Sequence, residues 1–248
     1  MIAALQRQLR RGPLNEPFEP YARALHDHWI GKQPILFHCR VGPWFQVMST
    51  IEAFEPIYHR RSLEAAALAS CRGRVLDVGA AAGRNSLLLR ERGHAVVSVD
   101  IDPGLVALMR RRGLDDVHQG DIFDLHCGAF DTILFMQMTI GLVGTLVRLR
   151  DLLARLKTRL TDGGQVLLDS QSPGWWMRRW RTRKSGVYLG ETDMQLQYRW
   201  LVGRPFHWLY IDRGTLRMCA EAAGYDVELL AEGRMRDFLV RLTPRQPH

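Results

Sequence analysis

The residues whose types and spacing suit chemistry gather first in RVLDVGAAAGRNS, residues 74–86. There Asp77, Gly79, Ala80, Ala81, Gly83 and Asn85 sit where an apolar β-branched run gives way to a helical one. Only small residues let a backbone pass close to a ligand at such a turn, and a helix that starts at once presents free amides to it. Asp100 closes the next apolar run, in SVDIDP, with Ile101 after it. A carboxylate at that point can take both hydroxyls of a ribose. Asp121, followed by Ile122 in QGDIFD, comes after the third run and can accept from an adenine amino group. Three signals in this order point to a nucleoside-bearing cofactor.

A second stretch, PGWWMRRWRTRK at 173–184, packs three tryptophans and five cations into a dozen positions. Such a mixture suits stacking on bases, anchoring at lipid headgroups or clamping an anionic molecule. As a helix it would set Trp176 and Trp180 on one face and Arg179 and Arg183 on another. Its place directly after the run QVLLDS makes it a lid or wall over a pocket for an acceptor molecule, with Trp176, Arg179 and Trp180 in contact.

The elements that must position these residues follow from the pattern. From Arg74 onward, short apolar runs alternate with helical periods: RVLDVG then SLLLRERG, AVVSVD then GLVALMRRRG, DTILFM then LVRLRDLLARLKTRL, and QVLLDS. Strand and helix repeated in this way mean parallel strands joined by crossovers. The expected fold is α/β: a Rossmann-like, seven-stranded, mostly parallel sheet with helices on both faces. Gly93, Gly113 and the Asp162-Gly163-Gly164 turn fall where helices should stop. Residues 171–213 break the rhythm, and VYLGETDMQLQYRW within them reads as a hairpin or an edge strand. One helix, GTLRMCAEAAG, and a closing hairpin from DVELLAE and RDFLVRL complete the sheet. Residues 1–70 lack the pattern, and FEPYARALHDHW and FEPIYHRRSLEAAALAS give a helical N-terminal cap ahead of a main domain at 71–248.

Composition narrows the classes. The net charge of +8 would favour polyanions, but arginines such as Arg148, Arg150, Arg155 and Arg159 recur as on a solvated helix face. Cys39, Cys71, Cys127 and Cys219 stand singly, with no C-x-x-C pair and no histidine at metal-ligand spacing, so free thiols and no metal are expected. No run approaches the roughly 20 apolar residues of a membrane span, and the N-terminus lacks a secretory apolar core, so a cytoplasmic location is expected.

On these residues the chain resembles the class I S-adenosylmethionine-dependent methyltransferases. The family's first motif runs D-x-G-x-G-x-G, and this chain reads Asp77, Gly79, Ala81, Gly83, with alanine at the central glycine. The resemblance covers Arg74 to Ser170, and Gly190 to Leu242 less sharply, where PFHWLYID and AEAAGY look like a bacterial small-molecule subfamily. It implies S-adenosylmethionine as cofactor, with its methionine part along the loop 79–85, its ribose on Asp100 and its adenine beside Asp121 and Ile122. Nicotinamide and flavin enzymes share the acidic strand end, but their G-x-G-x-x-G fingerprint is not met.

The strand FDTILFMQMT should end beside the transferring methyl, which makes Gln137 a cofactor neighbour and Met138 and Thr139 acceptor neighbours. The N-x-P-[YFW] pattern of amino-methylating nucleic-acid enzymes is absent there, and the resembling subfamily has asparagine in place of Met138. Candidate bases are His207 and His28, ahead of His26, His38, His59 and Tyr21; His207 is flanked by Phe206 and Trp208, the latter an acceptor contact. Asp169 and Ser170 end a strand, either facing the pocket or capping a loop. The expected activity is methyl transfer to a small-molecule or peptide natural product, without a nucleic-acid or membrane partner. An RNA methyltransferase using the basic stretch and a catalytically silent cofactor-binding scaffold are the alternatives.

Overall fold

The computed structural model describes residues 14–55, 61–124, 127–174, 177 and 187–245. Two sheets organise them. The larger has seven strands: β3 (Arg74–Val78), β4 (Ala95–Asp100), β5 (Val117–Gln119), β6 (Phe130–Phe135), β7 (Leu160–Gln171), β11 (Tyr225–Glu232) and β12 (Asp237–Pro244). Their order is β11-β12-β7-β6-β3-β4-β5. The pairs from β7 to β5 are parallel, and β12 runs antiparallel to both β7 and β11. The sheet is therefore the mostly parallel, Rossmann-like one that the alternating runs imply, with the closing hairpin in place.

Burial on both faces explains why these strands read as unbroken apolar runs. Helices α2 (Arg61–Ser70), α3 (Arg84–Glu91), α4 (Pro103–Arg111), α5 (Leu146–Leu156) and α6 (Arg213–Ala222) cover them. Leu149, Leu152, Leu153 and Leu156 of α5, at helical spacing, pack with Ile133, Phe135 and Val166 in the largest core. Short polar side chains start several helices, each satisfying orphan amides. Asp102 accepts from the Gly104 and Leu105 amides, Thr145 from Arg148 and Asp212 from Thr215. Gly93 and Gly113, at φ 86° and 89°, follow α3 and α4. The Asp162-Gly163-Gly164 turn differs from expectation: it lies within β7, where the register with β6 slips between Phe130 and Thr132.

The smaller sheet is antiparallel and corrects the local reading of two segments. Helix α1 (Glu19–Gly31) leads into a hairpin, β1 (Leu36–Val41) and β2 (Trp44–Ser49), where the sequence pattern offered only a Pro/Gly-punctuated connection. β1 pairs with β8 (Glu191–Tyr198), which pairs in turn with β10 (Phe206–Leu209) and with β9 (Leu201–Val202). β8 is thus the centre of this sheet, neither an edge strand nor one arm of a simple hairpin. Its partner β1 comes from more than 150 residues upstream, as the bond between Arg40 and Gln195 records, and no local pattern carries such a pairing.

Helix α1 sits between the two sheets. Ala22 and Leu25 pack with Ala82, Leu105 and Leu108 of the larger unit, whereas Ala24 joins Phe37, Met194 and Tyr198 of the smaller sheet. β10 closes the other side against the short 3-10 helix Thr139–Val143. Gly141 makes that approach possible, because a Cβ there would lie 2.4 Å from Cε2 of Trp208. Among the described residues no helix is long and apolar enough to cross a membrane. Gly141→Ala must displace the Trp208 ring, and overpacking of this kind costs about 1–3 kcal/mol. A urea titration should show a lowered midpoint with unchanged slope; an unchanged midpoint would mean that β10 is not held there.

Candidate functional site

Parallel strands that run the same way release their loops at one edge, and ligands bind there. In this protein the edge faces the inner side of the smaller sheet across a cavity of about 590 Å3. That volume lies within the range of small-ligand pockets, roughly 300–1,000 Å3. Gly79, Ala81, Asp100, Ile101, Asp121, Ile122, Gln137, Met138 and Thr139 line it from the larger sheet, together with His207 and Trp208 from β10. Separate loops therefore deliver most of the sequence-predicted residues to one space.

The loop after β3 is folded over the end of β4. The amides of Gly79 and Ala80 both donate to the Val99 carbonyl, at 2.9 and 3.1 Å, and Gly83 donates to Ala80. Gly79 and Gly83 have φ of 67° and 75°, and at Gly83 a Cβ would meet Leu114 Cδ1 at 2.4 Å. Ala81, where the motif has its central glycine, is left-handed too, at φ 51°. A non-glycine residue there costs roughly 1–2 kcal/mol, so something must hold it. Asp100 does: its Oδ2 accepts from the Ala81 amide at 3.0 Å while its Oδ1 accepts from Asp102 at 3.1 Å. Burial raises the Asp100 carboxyl to about 6, against these two bonds that favour its charged form.

Behind the loop, Asp77 is buried and takes a 2.6 Å hydrogen bond from Ser86 Oγ, which accepts in turn from Ser98. Its carboxyl is also raised to about 6 by burial. Asp77, Ala80 and Asn85 do not line the large cavity; they border a smaller one of about 20 Å3 that shares Gly79, Ala81 and Gln137 with it. Gly83 borders neither cavity and makes the turn into α3.

Past β6 the chain takes two consecutive non-glycine residues into the left-handed region, Gln137 at φ 59° and Met138 at φ 63°. Strain of this kind persists only when neighbours over-determine it, and it concentrates at functional sites. Here the Gln137 side chain donates to the Glu52 carbonyl at 2.9 Å and the Met138 amide donates to Asp169 Oδ1 at 2.7 Å. Asp169 thus ties down the loop after the neighbouring strand β6, and neither it nor Ser170 lines the cavity.

The candidate bases separate clearly. His28 is buried, its Nδ1 is 2.7 Å from Thr50 Oγ1, and its ring packs 4.2 Å from that of Phe54. Burial lowers its pKa, and it lines neither cavity. His207 lines the large cavity, is largely exposed, and has Nδ1 2.8 Å from Asp193 Oδ1. Tyr21 lines it as well, and burial with the Glu52 and Asp100 carboxylates raises its phenol well above the usual range, so it stays a proton donor. His38 is exposed on β1, and His26 receives a bond from Arg111. Trp176, Arg179, Trp180 and His59 lie outside the described residues.

Sequence reasoning named Trp208 as an acceptor contact but missed the aromatic wall to which it belongs. Phe206, Trp208 and Tyr210 line the cavity with Phe18, whose ring is 4.7 Å from Phe206, and with Phe37, 5.3 Å from Tyr21. The period-two alternation of Phe206, Trp208 and Tyr210 was the signal available. Arg148 was read only as a solvated helix cation, yet it lines the cavity over the Phe123 ring at 4.5 Å and pairs with Asp121 at 3.8 Å.

The family model described as a methyltransferase domain matches residues 39–230. A SAM-dependent methyltransferase from Bacteroides fragilis, solved with S-adenosyl-L-homocysteine, is 30% identical with a TM-score of 0.82, covering 95% of this chain and 98% of that one. An amino pentose methyltransferase from Micromonospora echinaspora, involved in calicheamicin biosynthesis and solved with SAM, shares the fold at 20% identity and a TM-score of 0.54, over 79% and 94% of the two chains. The sugar N-methyltransferase from a Streptoalloteichus strain shares it at 18% and 0.52, over 76% and 86%.

The Asp77 arrangement has a measurable signature. With a folded pKa near 6 against an ordinary 3.8, Asp77 contributes stability at acid pH that is lost as pH rises between about 4 and 6. Removing its donor raises that pKa further, so Ser86→Ala should cost about 1–3 kcal/mol when Asp77 is charged. Denaturant titrations of this variant should show a larger loss at pH 8 than at pH 5. A loss independent of pH would show that the hydroxyl does not serve Asp77.

Proposed function

The chain belongs to the S-adenosylmethionine-dependent methyltransferases, and on that premise we propose that it methylates a small-molecule or peptide natural product held between its two sheets. The observation that carries this reading is the division of the large cavity. Its floor bears the polar strand ends Asp100 and Asp121, and its roof is the aromatic and aliphatic face of the smaller sheet.

The floor fits the cofactor. A carboxylate offers about four lone-pair sites, and Asp100 uses two on backbone amides, which leaves acceptors for both ribose hydroxyls. Ile101, Ile122 and Leu142 offer apolar surface to an adenine ring, with Asp121 at its edge. Asp77, Gly83 and Asn85 shape the loop from behind in this reading, while Gly79, Ala80 and Ala81 pass the methionine part beside Gln137. When bound, S-adenosylmethionine would supply an electrophilic methyl on a sulfonium, open to in-line displacement by an acceptor lone pair with S-adenosyl-L-homocysteine as the leaving thioether.

The protein's own contribution is alignment and exclusion of water, which in the best intramolecular models is worth on the order of 7–11 kcal/mol. Met138 and Thr139, locked by the strained turn after β6, fix one side of the acceptor. Trp208, Phe206 and Tyr210 fix the other. His207, oriented through Nδ1 by Asp193, stands at the rim as the group that takes a proton from an acceptor needing one. His28 is a structural residue on this account. Residues 71–248 act as the methyltransferase domain, with the N-terminal residues and the segment 171–213 building the acceptor side; Trp176, Arg179 and Trp180 serve as the lid. Placement in the cytoplasm belongs to the same reading.

An RNA acceptor is less favoured. Phosphate contact needs lysines or arginines along the path of the strand, and the one arginine among the described lining residues, Arg148, is engaged with Asp121 and Phe123. Incubation with methyl-labelled cofactor and host extract, separated into RNA, protein or peptide, and small-molecule fractions, tests the proposal. Label should enter the peptide or small-molecule fraction; label in RNA would overturn it. A second expectation concerns pH. Asp100 accepts from both ribose hydroxyls at full strength only when charged, since protonation turns one oxygen into a donor, so affinity for S-adenosyl-L-homocysteine should fall as pH drops through about 6. In Asp100→Asn the affinity should be lower by roughly 10- to 100-fold and flat with pH. A wild-type affinity that ignores pH would remove Asp100 from the ribose.

A further inference from the structure

A strand at the edge of a sheet offers unpaired backbone groups that another strand can take up, and folded proteins blunt such edges by shortening, charging or covering them. The other edges of this protein are treated in that way. β5 is three residues long, β11 carries Asp226, Glu228 and Glu232, and β10 lies against the 3-10 helix Thr139–Val143, whose following Gly144 approaches the His207 backbone. β2, which ends the order β10-β8-β1-β2, has no such protection among the described residues. Its sequence WFQVMS holds no charge and no proline, and its register with β1 runs without a bulge. Phe45 and Val47 on it are 44% and 60% exposed, and Leu36 of β1, on the same face, is 66% exposed.

The turn before β2 decides which backbone groups point outward. Val41 and Trp44 flank the two-residue loop Gly42-Pro43, with Gly42 at φ 55°, and so close it as a hydrogen-bonded pair. Alternation along an antiparallel ladder then turns the backbone groups of Trp44, Gln46 and Met48 towards β1 and leaves those of Phe45, Val47 and Ser49 facing out. That set is self-complementary. A two-fold axis at Val47 sets Val47 opposite Val47 of a second copy and Phe45 opposite its Ser49, and every outward N–H then meets an outward C=O. Charge permits the approach: each chain carries +8, but none of it stands on β2, and the arginine on that face, Arg40, is one strand back and tied to Gln195 and the Gly42 carbonyl.

We propose that β2 is the interface of a homodimer, pairing antiparallel with β2 of a second copy so that the two smaller sheets become one. Each copy has one such edge, so a two-fold closes the assembly at two chains. Phe45, Val47 and Leu36 then form an apolar row across the axis. Gln46 and Met48, on the opposite face of the same strand, line the large cavity, so the second copy's strand braces the wall opposite the cofactor loop. One strand is a small interface, and the dimer is accordingly a weak one.

Sedimentation of the purified chain, from low micromolar to several hundred micromolar, tests the proposal. The mass should climb from one chain towards two and no further, and it should climb at lower concentration when salt screens the like net charges. Val47→Lys sets like charges opposite each other at the axis and should weaken the dimer by more than about tenfold, whereas Val47→Ile should keep it. Amide exchange on the wild-type chain locates the contact even if the lysine variant misfolds. Protection at Phe45, Val47 and Ser49 should rise with protein concentration, while Trp44, Gln46 and Met48 stay protected throughout. A chain that remains monomeric at every concentration, a mass that grows past two chains, or a dimer whose Phe45, Val47 and Ser49 amides exchange as fast as in the monomer would overturn the assignment.

Discussion

The fold's working edge depends on one buried carboxylate. Asp100 reaches across from β4 to the Ala81 amide and holds a non-glycine residue in a left-handed turn. That bond joins those from the Gly79 and Ala80 amides to the Val99 carbonyl in keeping the loop after β3 on its strained path. The same bond, with the one from Asp102, opposes the desolvation that raises the Asp100 pKa. A group placed in this way is charged near neutral pH yet poorly solvated, and it gains from any hydroxyl that approaches. One carboxylate therefore both holds the loop and presents acceptors to the cavity.

The smaller sheet turns this widely used cofactor edge into a particular enzyme. A fold alone does not choose an acceptor. Here β1 and β2 from the N-terminal side meet β8 and β10 from the segment after β7, and α1 wedges the resulting sheet against Ala82 and Leu105. Two chain regions distant in sequence are needed to build one wall. The Tyr21 phenol, the aromatic row on β10 and the strained Gln137-Met138 turn then enclose the space between the sheets. Walls on both sides leave a defined space between the sheets, which suits a displacement that needs alignment.

What the sequence disclosed and what it hid divide along the range of the interactions involved. The parallel core was legible because its strands are buried on both faces, so they show as apolar runs, the one ending at Asp100 being followed by the helix cap Asp102. The loop 79–83 and Asp100 were legible because small residues and an acidic strand end leave a local mark. The β1–β8 pairing was not, since the β8 run alone reads as a hairpin or an edge strand and only its remote partner makes it central. For Asp169 the sequence left pocket and loop open, and its carboxylate serves the Met138 amide on the neighbouring strand's loop. His28 shows that residue type alone says little, for its ring is spent on Thr50 and Phe54.

The most direct test of the account is a crystal structure with S-adenosyl-L-homocysteine bound. The account places both ribose hydroxyls within hydrogen-bonding distance of Asp100, with the Ala81 amide still held by its Oδ2, and the sulfur facing Met138 and the aromatic row of β10. A ribose bound elsewhere, or an Asp100 carboxylate that keeps only its two backbone partners, would contradict it.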